Sequence, residues 1–439
     1  MSPFPVTSRP RQRPLAVTLV ALCLASGPVS AASSNGAGDA RFDPLASDAG
    51  LSLGQVVRWA ADRHPEKEQS RAGQRAASAL RGRADAWLSG NPAGVLSHYN
   101  DAGATAAGNR EWEAGVELPL WHLGQRAARR SLAEAAEEQA RSIPEAVRLQ
   151  AAGRVRETLW AIALQRNRVA LAETERAHAR ALADKVQRRL ELGDLARTAR
   201  LLARERVVEK ETALESARSR LRVLRADYRR ITGLDRTPSQ WREDRARTLS
   251  DQTIPVKDHP FLRRAALKVE QLRARRRLAG IQAAEPPSLV LGTRQERAAD
   301  GSAVNSLHAS LRIPFGMAEQ REGRRAAVGV ELAAARSRLD RQRREVLTAL
   351  DEARQGIAVA RRTLRQARHR EEFATQSRTL ARKAFDAGEY GLMDLIRVQD
   401  KYAAARRDRA QRELKLERAV ARFNQAAGVI PWPRSESSQ

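Results

Sequence analysis

The chain has 439 residues, a net charge of +27 from 79 Lys+Arg against 52 Asp+Glu, and only 4% aromatics. Its length permits two or three domains, but a composition led by Ala, Arg, Leu and Glu, with 30% charged residues, fits long helices and excludes a broad aromatic-rich core. So basic a chain would suit nucleic-acid phosphates, but its N-terminus argues for export and against that partner.

Arg9, Arg11 and Arg13 precede an apolar run from Leu15 to Ser26, and Val29-Ser30-Ala31 offers the small residues at which a signal peptidase cuts. The run is shorter than the roughly 17–25 residues of a spanning helix. Residues 1–31 therefore read as a leader and 32–50 as an N-terminal extension; removing the leader's three arginines leaves a charge of +24. Cys23, the only cysteine, lies in the leader, so no disulfide supports the mature fold. Leu22 stands where lipid attachment to Cys23 would want a small residue.

His64-Pro65 recurs 195 residues later as His259-Pro260. The same offset relates Pro92 to Pro287, Pro119 to Pro314, Gln125-Arg126 to Gln320-Arg321, Gly193 to Gly388 and Gly233 to Gly428. Proline and glycine punctuate the backbone, so equal spacing predicts two halves with one order of elements. The halves run over 51–233 and 259–428, with a crossover at 234–258 and a tail at 429–439.

In chain order, the first half opens with a helix from Leu53 to Leu88, matched by a shorter one from Pro260 to Ala284. Pro92 and Pro287 each lead a short strand, followed by turn-rich segments at Asn100 to Asn109 and Ala298 to Asn305. Trp112, Ala114, Val116 and Leu118 then alternate with Glu111, Glu113 and Glu117, and Leu307, Ala309, Leu311 and Ile313 repeat the pattern. Period two predicts strands with one apolar and one wet face.

Long helices follow to Gly193 and Gly388, the first carrying Pro144 as a possible kink. At about 1.5 Å per residue the proline-free run from Arg321 to Ala387 is on the order of 100 Å long. Return helices from Ala196 to Ile231 and from Leu392 to Ala427 cover about half of each, and the helices before the strands fit the remainder. Four strands cannot close a barrel alone, because the smallest membrane barrels have about eight, and open edges are not tolerated in lipid. Several copies must then share one barrel.

The His-Pro openings, the Pro-led strand pairs, the Gln-Arg-x-x-Arg-Arg starts at Gln125 to Arg130 and Gln320 to Arg325, and the Gly-Asp/Glu turns resemble the TolC-like outer-membrane efflux proteins, over about residues 51–430. The resemblance implies a mainly α fold with a small β part. A homotrimer would pool its strands in an outer-membrane barrel, in contact with lipid, and its helices in a periplasmic tunnel. It implies a passive, non-enzymatic duct without cofactors, docking a periplasmic adaptor and an inner-membrane transporter.

The turns holding Gly193-Asp194 and Gly388-Glu389 become adaptor-docking candidates; on sequence alone the glycines read equally as helix C-caps. Asp394, with Ala199 as its counterpart, falls where the family places acids that constrict the tunnel tip, and Arg397 one turn on is its candidate partner in an ionic latch. A solvated acid favoured by the helix dipole is the plainer alternative. Glu111, Glu113 and Glu117 are candidates to line the barrel lumen, against a merely solvated strand face. The histidines show no metal-ligand spacing.

Competing readings are an exported coiled-coil adaptor or scaffold, which needs no paired apolar strands, and the duct of a type I protein secretion system. Leu88-Ser89-Gly90-Asn91-Pro92 and Gly193-Asp194-Leu195-Ala196-Arg197-Thr198 are similar to the heavy-metal cation-efflux branch, so metal cations or small toxic compounds are the expected cargo.

Overall fold

The computed structural model describes residues 45–101, 108–246, 258–282, 286–298, 300–314 and 318–431, all within a unit that begins at Phe42. The segment expected to be a leader, with Cys23, lies outside the described residues, as does most of the first turn-rich segment.

In chain order the elements are β1 (Ala46–Asp48), α1 (Leu53–Asp62), α2 (Glu66–Asp85), β2 (Ala93–Asn100), β3 (Arg110–Pro119), α3 (Gln125–Glu191) and α4 (Arg197–Thr232). There follow β4 (Arg236–Pro238), α5 (Pro260–Ile281), β5 (Ser288–Arg297), β6 (Ala303–Arg312), α6 (Ala318–Asp386) and α7 (Leu392–Ala426).

The single helix expected from Leu53 to Leu88 is two. Pro65 has no N–H to donate to the turn before it, and α1 closes at Arg63, whose N–H bonds back to Trp59 and Ala61. Ser52 and Gln55 cap α1 reciprocally: the Gln55 N–H donates to Ser52 Oγ at 3.2 Å and the Ser52 N–H to Gln55 Oε1 at 2.7 Å. Released from α2, α1 buries Leu53, Val56, Val57 and Ala60 against Ala151, Val155 and Leu159 of α3 and Leu221 and Tyr228 of α4. Each fully buried Val or Leu is worth about 1.5–3 kcal/mol, enough to anchor a ten-residue helix.

α3 and α6 are continuous over 67 and 69 residues, each on the order of 100 Å long; α3 runs on through Pro144. Two shorter helices cover each in turn. Ala77 of α2 packs on Ala136 and Ala140 of α3, and Val269 and Leu272 of α5 pack on Leu332 and Ala335 of α6. Farther on, α4 and α7 take over, with Phe423 of α7 against Val346, Leu350 and Ile357 of α6. Alanine dominates many of these contacts, because only small side chains let helices lie close in a thin layer.

The two hairpins form one four-stranded antiparallel sheet in the order β2-β3-β5-β6. Their internal registers coincide at the 195-residue offset: Ala93 faces Glu117 in the first and Ser288 faces Arg312 in the second. β3 and β5 join the hairpins, and beneath them α2, α3, α5 and α6 pack side by side in the same order. Each strand thus continues into a helix of one wall.

A second sheet went unread in the sequence. β1, in the N-terminal extension, pairs parallel with β4, in the crossover, with Ala46 opposite Arg236, and Arg236 bridges to Asp48 at 2.9 Å. Three residues per strand leave no periodicity to detect.

Candidate functional site

The four-stranded sheet is turned inside out relative to a water-soluble one. Leu96, Trp112, Val116, Leu291, Leu307 and Leu311 share one face by register, and all six are exposed. The opposite face carries Glu111, Glu113 and Glu117, all half-buried. Glu111 pairs with Arg294, while Glu113 accepts from Ser97 Oγ at 3.1 Å and meets His308 Nδ1 at 2.7 Å. The alternation in the sequence was therefore right, and the apolar stripe faces outward rather than onto a core. β3, β5 and β6 have ten residues each, matching the roughly 9–11 that a tilted strand needs to cross a bilayer.

Gly115 and Gly292 sit opposite each other where β3 meets β5, on the carboxylate face. A Cβ on Gly292 would lie 2.5 Å from the Ala114 carbonyl oxygen, and one on Gly115 2.9 Å from that of Leu291. The two hairpins approach too closely here for any side chain, the close backbone contact that glycine within a strand allows.

At the other end, the turns after α3 and α6 lie together. Gly193 and Gly388 adopt φ of +83° and +81°, and both turns close in the same way. Gly193 N–H bonds Leu190 O and Asp194 N–H bonds Arg189 O; Gly388 N–H bonds Phe385 O and Glu389 N–H bonds Ala384 O. These are Schellman caps, in which a left-handed glycine satisfies the last carbonyls of the helix. Leu182, Val186 and Ala203 from the first helical hairpin pack with Phe385, Leu392, Leu395 and Ile396 from the second.

Polar links between the hairpins surround that cluster. Arg189 donates to Phe385 O at 3.2 Å while lying over the Phe385 ring and 3.7 Å from Asp194. Lys185 pairs with Asp386. Arg206 of α4 grips Asp400 of α7 through its two terminal guanidinium nitrogens, and Arg407 reaches Glu175 at 3.3 Å. A cleft of about 180 Å³ opens between the hairpins here. Burial, then Arg378, Arg406 and Arg382, hold the His178 imidazole below its usual pKa.

Asp394 and Arg397 do meet, at 3.4 Å, but three residues apart on α7 and both exposed. Within one chain they bridge nothing; among the described residues the ion pairs that join the hairpins near the tip are those of Arg206, Lys185 and Arg407, and Arg418 of α7 reaches Glu157 of α3 farther from it. Sequence reasoning missed these because their partners are about 200 residues distant and share no motif. Among the described residues, no group of three His, Cys, Asp or Glu side chains is placed to hold a metal, and no helix is long and apolar enough to cross a membrane.

Solved structures share this arrangement. The outer membrane channel CmeC of Campylobacter jejuni is 14% identical, with 88% of this chain and 87% of that one covered and a TM-score of 0.65. The chain has the fold of such channels. The outer membrane protein VceC of Vibrio cholerae is 12% identical over 86% of this chain and 96% of its own, with a TM-score of 0.67. The MtrE outer membrane channel of Neisseria gonorrhoeae, in its open state, is 14% identical over 87% and 91%, with a TM-score of 0.58. No protein-family model and no curated protein matches the sequence. The turns at Gly193-Asp194 and Gly388-Glu389 end the long helices that lead away from the strands, and the residues flanking them pack together.

Proposed function

We propose that the chain assembles as a homotrimer into an outer-membrane channel continued by a periplasmic helical tunnel, a passive exit duct in a tripartite efflux system. One observation carries this reading: a four-stranded sheet with an exposed apolar face, a charged opposite face and two outer strands, β2 and β6, free to pair with further copies. Lipid accepts such a sheet only when its edges are closed, and three copies supply twelve strands, within the range of known membrane barrels. The likeness to solved outer membrane channels supports the same assignment.

In the assembled barrel Glu111, Glu113 and Glu117 face the lumen and favour cations. The Gly193-Asp194 and Gly388-Glu389 turns are the docking surface for a periplasmic adaptor, which couples the duct to an inner-membrane transporter. Threefold symmetry brings three copies of Asp394 and Arg397 to the tunnel tip as a ring of ion pairs. Cargo is metal cations or small toxic compounds, chosen by the transporter. The alternative of a soluble periplasmic scaffold leaves the apolar sheet face without a purpose, and the duct of a type I secretion system differs only in the transporter it serves.

Single-channel recording in planar bilayers tests the proposal. The purified protein should insert as discrete conducting units, with a reversal potential in a salt gradient that reports cation preference. Glu111→Gln/Glu113→Gln/Glu117→Gln should weaken that preference. Absence of conductance with both native and tip-loosened protein would refute the duct, and anion selectivity of the native protein would refute the lumenal carboxylates.

A further inference from the structure

Where the sheet gives way to helices, the wall carries a band that neither the strand pattern nor the tip explains. Its position is fixed by backbone bonds between the strand ends: Ser89 N–H to Pro119 O at 3.1 Å and Leu120 N–H to Pro287 O at 2.6 Å. At this level Trp87 is 81% exposed and Leu123 99%. Trp121 donates its indole N–H to the Trp87 carbonyl at 3.0 Å, and the Arg129 guanidinium lies 5.0 Å from the centre of the Trp121 ring.

The last turns of α2 and α5 and the first turns of α3 and α6 meet here. Residues 81–85, 121–130, 273–282 and 319–325 hold twelve arginines and three carboxylates. Asp85 is already shared by Arg81 and Arg130. Among the described residues no carboxylate forms an ion pair with Arg83, Arg129, Arg276 or Arg277. Burial, and after it the neighbouring Arg83, lowers the Arg129 pKa.

We propose that this collar seats on anionic phospholipid headgroups in the periplasmic leaflet of the outer membrane. The proposal rests on the reading of the sheet as a membrane-spanning wall and adds to it a lipid class and the residues that select it. Two independent features point the same way. Exposed tryptophan and leucine at the end of a lipid-facing strand belong at the headgroup level, where amphipathic rings settle. Arginines that no carboxylate neutralises match phosphate in charge and in bidentate geometry. The collar also adjoins the ends of the strands that carry the apolar face, so lipid that covers that face brings its headgroups to this level.

The test uses the full chain purified in neutral detergent and titrated with phosphatidylglycerol or phosphatidylcholine, with retained lipid counted by native mass spectrometry. A cation near an anionic surface contributes on the order of fivefold, so the native protein should retain phosphatidylglycerol at least severalfold better, with the margin shrinking in high salt. Replacing Arg83, Arg129, Arg276 and Arg277 by Gln should remove the preference, while the same four changes to Lys should keep most of it. Equal retention of both lipids by native protein, or an undiminished preference in the Gln variant, would overturn the proposal. Conductance of the same preparations separates the two ideas: inserted, conducting protein without a lipid preference sinks the collar alone, whereas protein that never inserts sinks the channel reading beneath it.

Discussion

Gly115 and Gly292 show how missing side chains let two hairpins close on each other. Both lie on the carboxylate face at the junction of the hairpins, and a methyl group at either would meet backbone of the other strand. Gly292→Ala should therefore cost about 1–3 kcal/mol through overpacking. A lowered temperature of dissociation of the assembled protein on gels would register it, and unchanged heat stability would contradict it. His64 and His259 are buried beside the repeated prolines, and desolvation lowers both pKa values below 6.5. The unfolded chain then takes up protons first as the medium acidifies, so stability is level above about pH 6.5 and falls below it. Urea midpoints measured across that range should drop on acidification, and His259→Gln should flatten the drop; a midpoint rising toward acid would contradict the burial argument. The left-handed glycines at 193, 233, 388 and 428 were legible because proline and glycine report backbone conformation directly. Arg189 and Phe385 were not, because their roles arise only when turns 195 residues apart become neighbours.

At the scale of elements, the duplicated plan could be read almost entirely from punctuation: the return helices begin and end within a residue of the positions that Gly193, Gly233, Gly388 and Gly428 imply. The failures have physical causes. The helix expected from Leu53 to Leu88 breaks because proline ends a ladder that the helical periodicity on either side would continue, and β1 and β4 are too short to alternate visibly. One tertiary staple also lay beyond the sequence. Arg156 of α3, 4% exposed, bonds Glu243 of the crossover through two nitrogens at 2.7 Å, Gln425 of α7, and the Val429 carbonyl. It ties both halves to the segment that joins them. Glu243→Ala leaves a buried guanidinium uncompensated, a loss of about 3–5 kcal/mol that denaturant unfolding would detect; near-native stability would show that the network is solvated. Near the tip, Arg206→Ala removes the bidentate link to Asp400, and we expect higher conductance as the hairpins loosen. Asp394→Ala should do so only if the ring between copies bears load, and identical conductance in that variant would dismiss the ring.

For the whole molecule, the thin wall explains both the composition and the charge. A layer one helix thick has little interior for aromatic rings and much solvated surface for arginine and glutamate, so a basic chain of this length need not bind nucleic acid. The strand pattern revealed an apolar face, but a lone sequence does not say whether such a face meets a core or a lipid; that depends on what packs over it, and among the described residues nothing does. In the proposed assembly the sheet is one part of a barrel that other copies complete, and the count of copies is the most direct test. Native mass spectrometry of protein extracted from the outer-membrane fraction in mild detergent should give three times the mass of one copy, which is 48.6 kDa for the full chain and less where the expected leader has been cut. A monomer recovered from the soluble periplasm, or an assembly of any other number in the membrane, would contradict the account.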